Sequence, residues 1–275
     1  MNCGPVGIFD SGLGGLTVWR EVRRQLPNED IVYFADSRNC PYGRKSADEI
    51  IQLAHGIADR LQALECKLIV VACNTATAAA IDDLRQLYQI PFVGMEPAIK
   101  QAALNTATGK VGVLATKGTF DGRLYKQTSR KYANDIDVMV QIGDGLVELV
   151  ERNKYESDEA QMLLHKYVDP MLAHGVDQIV LGCTHYPFYK SQIEAMAGSR
   201  VAVIDPAPAV ARRVGELLDG QNLKNDINHQ GTDVFLSSGR VADMEALLAS
   251  ISHGKYSHGS VRTADGQIFE SLLSM

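Results

Sequence analysis

The chain has 275 residues, 45% of them hydrophobic, enough apolar material for one large domain or two smaller ones with cores of their own. Its 27 basic and 33 acidic residues leave a formal charge of −6, which argues against a general nucleic-acid or membrane-surface binder. Five cysteines without a CxxC pair suit free thiols in a reducing cytoplasm, and no apolar run approaches a membrane span or a signal peptide.

In chain order, Val6–Asp10 is a short strand and Ser11–Thr17 its glycine-rich turn, followed by a helix to Leu26 that Pro27-Asn28 stops. Asp30–Asp36 is a second strand, and a polar loop over 37–45 contains Pro41-Tyr42-Gly43. Ile50, Ala54, Ile57, Ala58 and Leu61 recur at helical spacing within 46–64. Leu68–Val71 is an apolar run typical of a buried parallel strand, followed by a helix over 76–88 and a strand over 91–94. Strands alternating with helices predict βαβ units and a parallel sheet with right-handed crossovers.

At Lys110 the plan restarts. Val111-Gly112-Val113-Leu114-Ala115 leads into a polar turn much as Val6-Gly7-Ile8-Phe9-Asp10 does. Gln178–Gly182 before Cys183 repeats Leu68–Ala72 before Cys73. The nearly equal offsets suggest an internal duplication, although βαβ proteins reuse such strands in any case. Residues 121–170 are expected to be mainly helical, with a strand near 138–142. A helix over 189–196, a strand over 201–205, a helix over 209–218, a strand over 234–239 and a helix over 241–251 complete the pattern. The final twenty residues are polar, lack periodicity and are expected to be poorly ordered.

A cysteine at a strand end is more often buried filler than a reactive group, and Cys3, Cys40 and Cys66 are assigned to that role. Cys73 and Cys183 differ because both end predicted strands, both precede predicted helices, and both have polar neighbours. Helix N-termini favour thiolate. Two equivalent, opposed thiols suit removal of a proton from one face of a carbon and its delivery to the other. Asp10-Ser11, Asn74-Thr75, Thr116, Thr119 and Thr184-His185 fall at turns on the same sheet edge, where hydroxyls and backbone N–H groups suit a carboxylate and Asp10 suits an ammonium. Helix capping is the ordinary use of each residue alone. The Gly12-x-Gly14-Gly15 turn with Asp36 imitates a dinucleotide fingerprint, but Thr17 replaces the third glycine and Asp10 would face the pyrophosphate. No residue cluster has metal-ligand spacing.

At these positions the sequence resembles glutamate racemases of the cofactor-independent aspartate/glutamate racemase superfamily. The resemblance rests on Asp10-Ser11-Gly12-Leu13-Gly14-Gly15, Pro41-Tyr42-Gly43, Cys73-Asn74-Thr75-Ala76, Glu96-Pro97-Ala98, Gly118-Thr119, Leu149-Val150-Glu151, Gly182-Cys183-Thr184-His185-Tyr186-Pro187 and Ser237-Ser238-Gly239. It implies interconversion of L- and D-glutamate without pyridoxal phosphate or another cofactor, supplying D-glutamate for peptidoglycan. Cys73 and Cys183 would be the catalytic thiols, with Asp10, Glu151 and His185 as auxiliaries. Asp10, Ser11, Tyr42, Gly43, Asn74, Thr75, Thr116, Thr119, Thr184 and His185 would hold the substrate. The implied fold is two similar flavodoxin-like α/β domains with the site in the cleft between them: residues 1–97 plus 209–255, and residues 98–208, leaving 256–275 as a polar tail. The implied partners are glutamate and a second copy in a homodimer, with no metal, nucleic acid or membrane. Two segments depart from the pattern, Ile142-Gly143-Asp144-Gly145 before Glu151 and Pro206-Ala207-Pro208 after Asp205. Three other readings remain open: a superfamily racemase or decarboxylase acting on another acid, a non-catalytic protein that keeps the fold, and a dinucleotide-dependent dehydrogenase.

Overall fold

The computed structural model of the chain describes residues 4–95, 98–121, 136–251 and 259–263. The first stretch carries β1 (Val6–Asp10), α1 (Leu16–Gln25), β2 (Ile31–Ala35), α2 (Ala47–Ala63), β3 (Leu68–Val71), α3 (Asn74–Leu87) and β4 (Phe92–Gly94). The middle carries α4 (Ile99–Asn105), β5 (Lys110–Ala115), α5 (Lys117–Asp121), β6 (Asp137–Ile142), α6 (Leu146–Glu151), α7 (Asp158–His174), β7 (Gln178–Gly182), α8 (Lys190–Ala197) and β8 (Ala202–Ile204). Then come α9 (Ala207–Gly220), β9 (Asp233–Ser237), α10 (Val241–Ile251) and β10 (Gly259–Thr263).

The strands form two sheets, ordered β10-β9-β2-β1-β3-β4 and β6-β5-β7-β8, with every pair parallel. Without β9 and β10, the first sheet has the order 2-1-3-4, and the second has it again when its strands are counted from β5. The two thiol-bearing strands, β3 and β7, therefore hold equivalent places, each beside the first strand of its own unit. Each unit reverses its winding between that pair, and such a crevice at the carboxyl ends of strands is where open α/β sheets bind ligands.

Local sequence explains the elements. Ser46 caps α2 by accepting from the Glu49 backbone N–H, and Ile50, Ala54, Ile57, Ala58 and Leu61 form the buried stripe. All the residues of β1, β2, β3 and β7 are buried, as continuous apolar runs covered on both faces require. One apolar cluster runs without a break from the α1 face of the first sheet (Ile8, Leu16, Val22) to residues of the second unit (Leu146, Val168, Ile179). Separate clusters line the other faces, one around Phe34, Ile57 and Leu84, the other around Ile99, Val113 and Val180. The two units thus share a core and are not strung on a loose linker.

Two stretches differ from the pattern expected. Cys183 leads into a 3-10 turn, Tyr186–Tyr189, before α8, because Pro187 enters at its first turn. Residues 259–263 form β10 on the edge of β9, within the segment expected to lack structure. The remainder of that tail, Glu96-Pro97 and residues 122–135 lie outside the described residues.

The single tryptophan ties β9 to α1. Trp19 Nε1 donates to Asp233 Oδ1 at 2.7 Å, its ring meets Phe235 edge-on at 5.1 Å, and Arg23 holds the same carboxylate at 2.9 Å. Trp19→Ala is expected to cost about 3–5 kcal/mol in a urea titration followed by circular dichroism. A cost below about 1 kcal/mol would show that this contact does not anchor the strand.

Candidate active site

Cys73 and Cys183 both line one small cavity between the units, with Ser11, Pro41, Tyr42, Gly43, Asn74, Thr75, Thr116, Val147, Thr184 and His185. The cavity measures about 10 Å³, room for roughly one water molecule. It shares Pro41, Gly43, Thr75, Thr116 and Val147 with a cleft of about 720 Å³ that opens beside it. Arg44 of the first unit and Glu148 of the second join across this cleft at 2.8 Å. The thiols are buried at a small cavity that adjoins a larger cleft.

Each thiol has a different setting. Cys73 is the N-cap of the 14-residue α3, and its Sγ accepts from the Ala76 backbone N–H at 3.4 Å and donates to Ser11 Oγ at 3.6 Å. Burial pushes the thiol well above its ordinary range and the Asp10 charge adds to that, outweighing those two hydrogen bonds. Cys183 Sγ lies 3.7 Å from His185 Nδ1. The His185 ring also pairs through Nε2 with Glu151 Oε1 at 2.7 Å. Burial alone lowers the imidazole's affinity for a proton, but Cys183, Cys40 and Glu151 together raise it well above its usual value. A hydrogen-bonded His185–Glu151 pair stands beside Cys183, whereas a buried carboxyl stands near Cys73.

That carboxyl is Asp10, at the end of β1 and fully buried. Its Oδ2 accepts from the backbone N–H groups of Gly12 and Gly15 at 3.2 and 2.9 Å, and its Oδ1 from Thr184 Oγ1 at 3.3 Å. Desolvation raises its pKa despite the opposing pull of His185 and the two amides. Neither Asp10 nor Glu151 lines the cavity.

The glycine turn explains itself here. A Cβ on Gly14 would sit 2.3 Å from His185 Nδ1, and one on Gly12 would sit 2.3 Å from Glu151 Oε1. Leu13 N–H donates to that same Glu151 oxygen at 2.6 Å. The amides that would cradle a pyrophosphate are already bound to the protein's own carboxylates, and the glycines give room to residues of the other unit. This disposes of the dinucleotide reading.

The remaining residues fall into two groups. Thr75, Thr116 and Thr119 form a triangle of hydroxyls spaced 2.9–3.3 Å apart across the units. Thr75 and Thr116 line the cavity and Thr119 braces them from behind. The Tyr42 hydroxyl is committed to Asp36 Oδ2 at 2.7 Å, leaving its ring and Gly43 as wall. Asn74 also faces the cavity, and its buried Oδ1 has no hydrogen-bond partner among the described residues. Sequence reasoning missed Cys40, which lies with Glu151 and His185, and the Arg44–Glu148 bridge. The one signal for Cys40 was its place directly before Pro41-Tyr42-Gly43.

Two parallel-sheet units of like strand order, each bringing a strand-end thiol to one cavity, define an α/β protein of the racemase-like class. The family model described as Asp/Glu/Hydantoin racemase matches residues 13–214, and the chain belongs to that family. It is 48% identical over 235 residues to the glutamate racemase of Herpetosiphon aurantiacus, covering 86% of this chain and 92% of that protein. Its structure is similar to that of glutamate racemase isoform RacE1 from Bacillus anthracis, with a TM-score of 0.87 and 30% identity over 97% of this chain and 99% of the other. It is also similar to the Francisella tularensis glutamate racemase in complex with D-glutamate, with a TM-score of 0.82 and 28% identity over 96% and 99% of the two chains. Among the described residues no helix is long and apolar enough to cross a membrane.

Proposed function

We propose that the chain is a glutamate racemase in which Cys73 and Cys183 exchange the α-proton of glutamate across the cavity. The observation that carries the reading is the pair of thiols in equivalent strand-end positions, one from each unit, lining a single cavity. One thiol, as thiolate, takes the proton from one face. The other gives its proton to the opposite face, and the roles reverse for the mirror-image substrate.

The substrate completes what the site lacks. Its ammonium meets the unpartnered Asn74 Oδ1 and the negative field of Asp10, and lowers the energy of the thiolate form of Cys73. Its carboxylates take the hydroxyls of Thr75, Thr116 and Thr184 and the amides at the start of α3. His185, held by Glu151, moves charge at Cys183. Since the cavity has room for about one water, glutamate enters as the units part at the larger cleft and the Arg44–Glu148 pair opens. We further infer units bounded at 1–97 with 209–255 and at 98–208, a homodimeric assembly, and a cytoplasmic role in supplying D-glutamate to peptidoglycan synthesis.

The test is a circular-dichroism assay of cofactor-stripped protein with L-glutamate, D-glutamate and both aspartates. Interconversion of the two glutamates alone, unaffected by pyridoxal phosphate and with solvent deuterium entering the α-carbon, is expected. Turnover of aspartate in preference to glutamate would move the assignment within the family. Absence of all turnover would favour a protein that keeps the fold without the chemistry.

Gly14→Ala tests the close approach of the turn to His185. Displacing the imidazole by about 1 Å is expected to lower kcat by roughly 100-fold, read in the same assay. Wild-type turnover would mean that the ring needs no such fit.

A further inference from the structure

We propose that Cys40, Glu151 and His185 form a binding site for a thiophilic divalent cation such as Zn2+, and that its occupation blocks turnover. One donor atom from each residue lies within 4.8 Å of the others. The three come from separate places in the chain: the loop before α2, the last residue of α6, and the turn after β7. Thiolate, carboxylate and imidazole are the donor set of a zinc site, and three protein ligands leave a fourth position open. Tetrahedral zinc needs donors about 3.3–3.7 Å apart. The cation would therefore insert into the 2.7 Å Glu151–His185 pair by spreading it slightly and would draw the Cys40 sulfur inwards. The bound thiol, and the imidazole where it carries a second proton, release those protons to solvent, and two negative ligands then balance the charge of the metal.

The surroundings favour this. Glu151 and the buried Asp10 concentrate negative potential at His185, whose ring is buried, while Cys40 and Glu151 are half-buried and give access. Cys40 does not line the cavity that holds Cys73 and Cys183. By occupying Nε2 the metal would stop the imidazole from taking or giving a proton there, and so from passing charge to Cys183, whose Sγ lies 3.7 Å from Nδ1. This inhibitory consequence rests on the racemase reading; the binding does not.

The experiment uses Co2+ as a spectroscopic probe and Zn2+ as the inhibitor, on the full chain. Wild-type protein with Co2+ is expected to show a sulfur-to-metal charge-transfer band that Zn2+ abolishes. Cys40→Ser and Cys40→Ala, checked for folding by far-UV circular dichroism, should lose the band, whereas Cys73→Ala and Cys183→Ala should keep it. X-ray absorption of the zinc-loaded wild type should show one sulfur with nitrogen and oxygen ligands, an arm that needs no variant. Relative to its own metal-free rate, Cys40→Ser should need at least about tenfold more Zn2+ than wild type for half-inhibition. A wild type with no band, a band retained in the Cys40 variants, or two sulfurs at the zinc would overturn the site. Loss of the band without a change in Zn2+ sensitivity would overturn the inhibitory role. A wild type that binds cobalt through one sulfur but racemises nothing would leave the site standing and sink the racemase reading.

Discussion

Replacing Cys73 or Cys183 by alanine is expected to lower racemisation by about 1000-fold or more, the scale of losing a positioned general acid or base. Both directions must fall together. The two enantiomers are equally stable, so the ratio of kcat/KM for the two directions stays at one in any variant. The single substitutions therefore look alike by racemisation, and a different substrate separates them. A glutamate analogue with a leaving group on its β-carbon needs only deprotonation, because expulsion of that group replaces the second proton transfer. Each alanine variant should eliminate from one α-configuration only, and the two variants from opposite ones. Glutamate itself should still bind both, since the hydroxyls of Thr75, Thr116 and Thr184 are untouched. Full racemase turnover by either variant, or elimination from the same enantiomer by both, would sink the two-thiol mechanism.

Asp10→Asn is expected to separate activity from stability, with turnover falling by about 100-fold or more and the Tm rising. Asparagine fits the place: its oxygen can accept from the amides of Gly12 and Gly15, and its amide can donate to Thr184 Oγ1. Burial raises the folded-state pKa of Asp10 above its ordinary value of 3.8. Between those two values the folded chain holds more protons than the unfolded one, so stability falls as pH rises through that window. Above the window the buried charge is a standing cost that the amide removes. A gain of about 0.5–2 kcal/mol at neutral pH is expected, or about 2–4 °C of Tm for each kcal/mol. It should shrink as the pH is lowered towards the unfolded carboxyl's own range, where wild type is protonated in both states. A variant less stable than wild type at pH 7, or with unchanged slope of Tm against pH, would refute this account of Asp10.

Much of this was legible in the residues. The parallel sheets follow from apolar runs alternating with amphipathic helices, and the matching contexts of Cys73 and Cys183 marked equivalent strand ends. What was not legible depends on approach between distant segments. Glycines 12 and 14 follow a strand in the manner of a phosphate loop. Only the arrival of Glu151 and His185 from the other unit shows that they make room for side chains instead. Cys40 looked like any loop cysteine until the fold brought it to those same two residues. The altered segment over 142–145 does not displace Glu151, because α6 still ends against His185. Strand β10 escaped notice because residues 259–263 pair at a sheet edge without an apolar run.

The equivalence of the two thiol positions has a consequence for continuous operation. When one enantiomer has become the other, the proton that sat on the second sulfur has left with the product, and the first sulfur carries the one removed. By the two-thiol mechanism proposed above, the free protein would exist in two forms that differ in the location of a single hydrogen, each converting only one mirror image. Sustained net conversion requires the forms to interconvert, and solvent admitted as the units part for product release would serve as the relay. At high substrate concentration that reset would then compete with the breaking of the carbon–hydrogen bond in setting the pace.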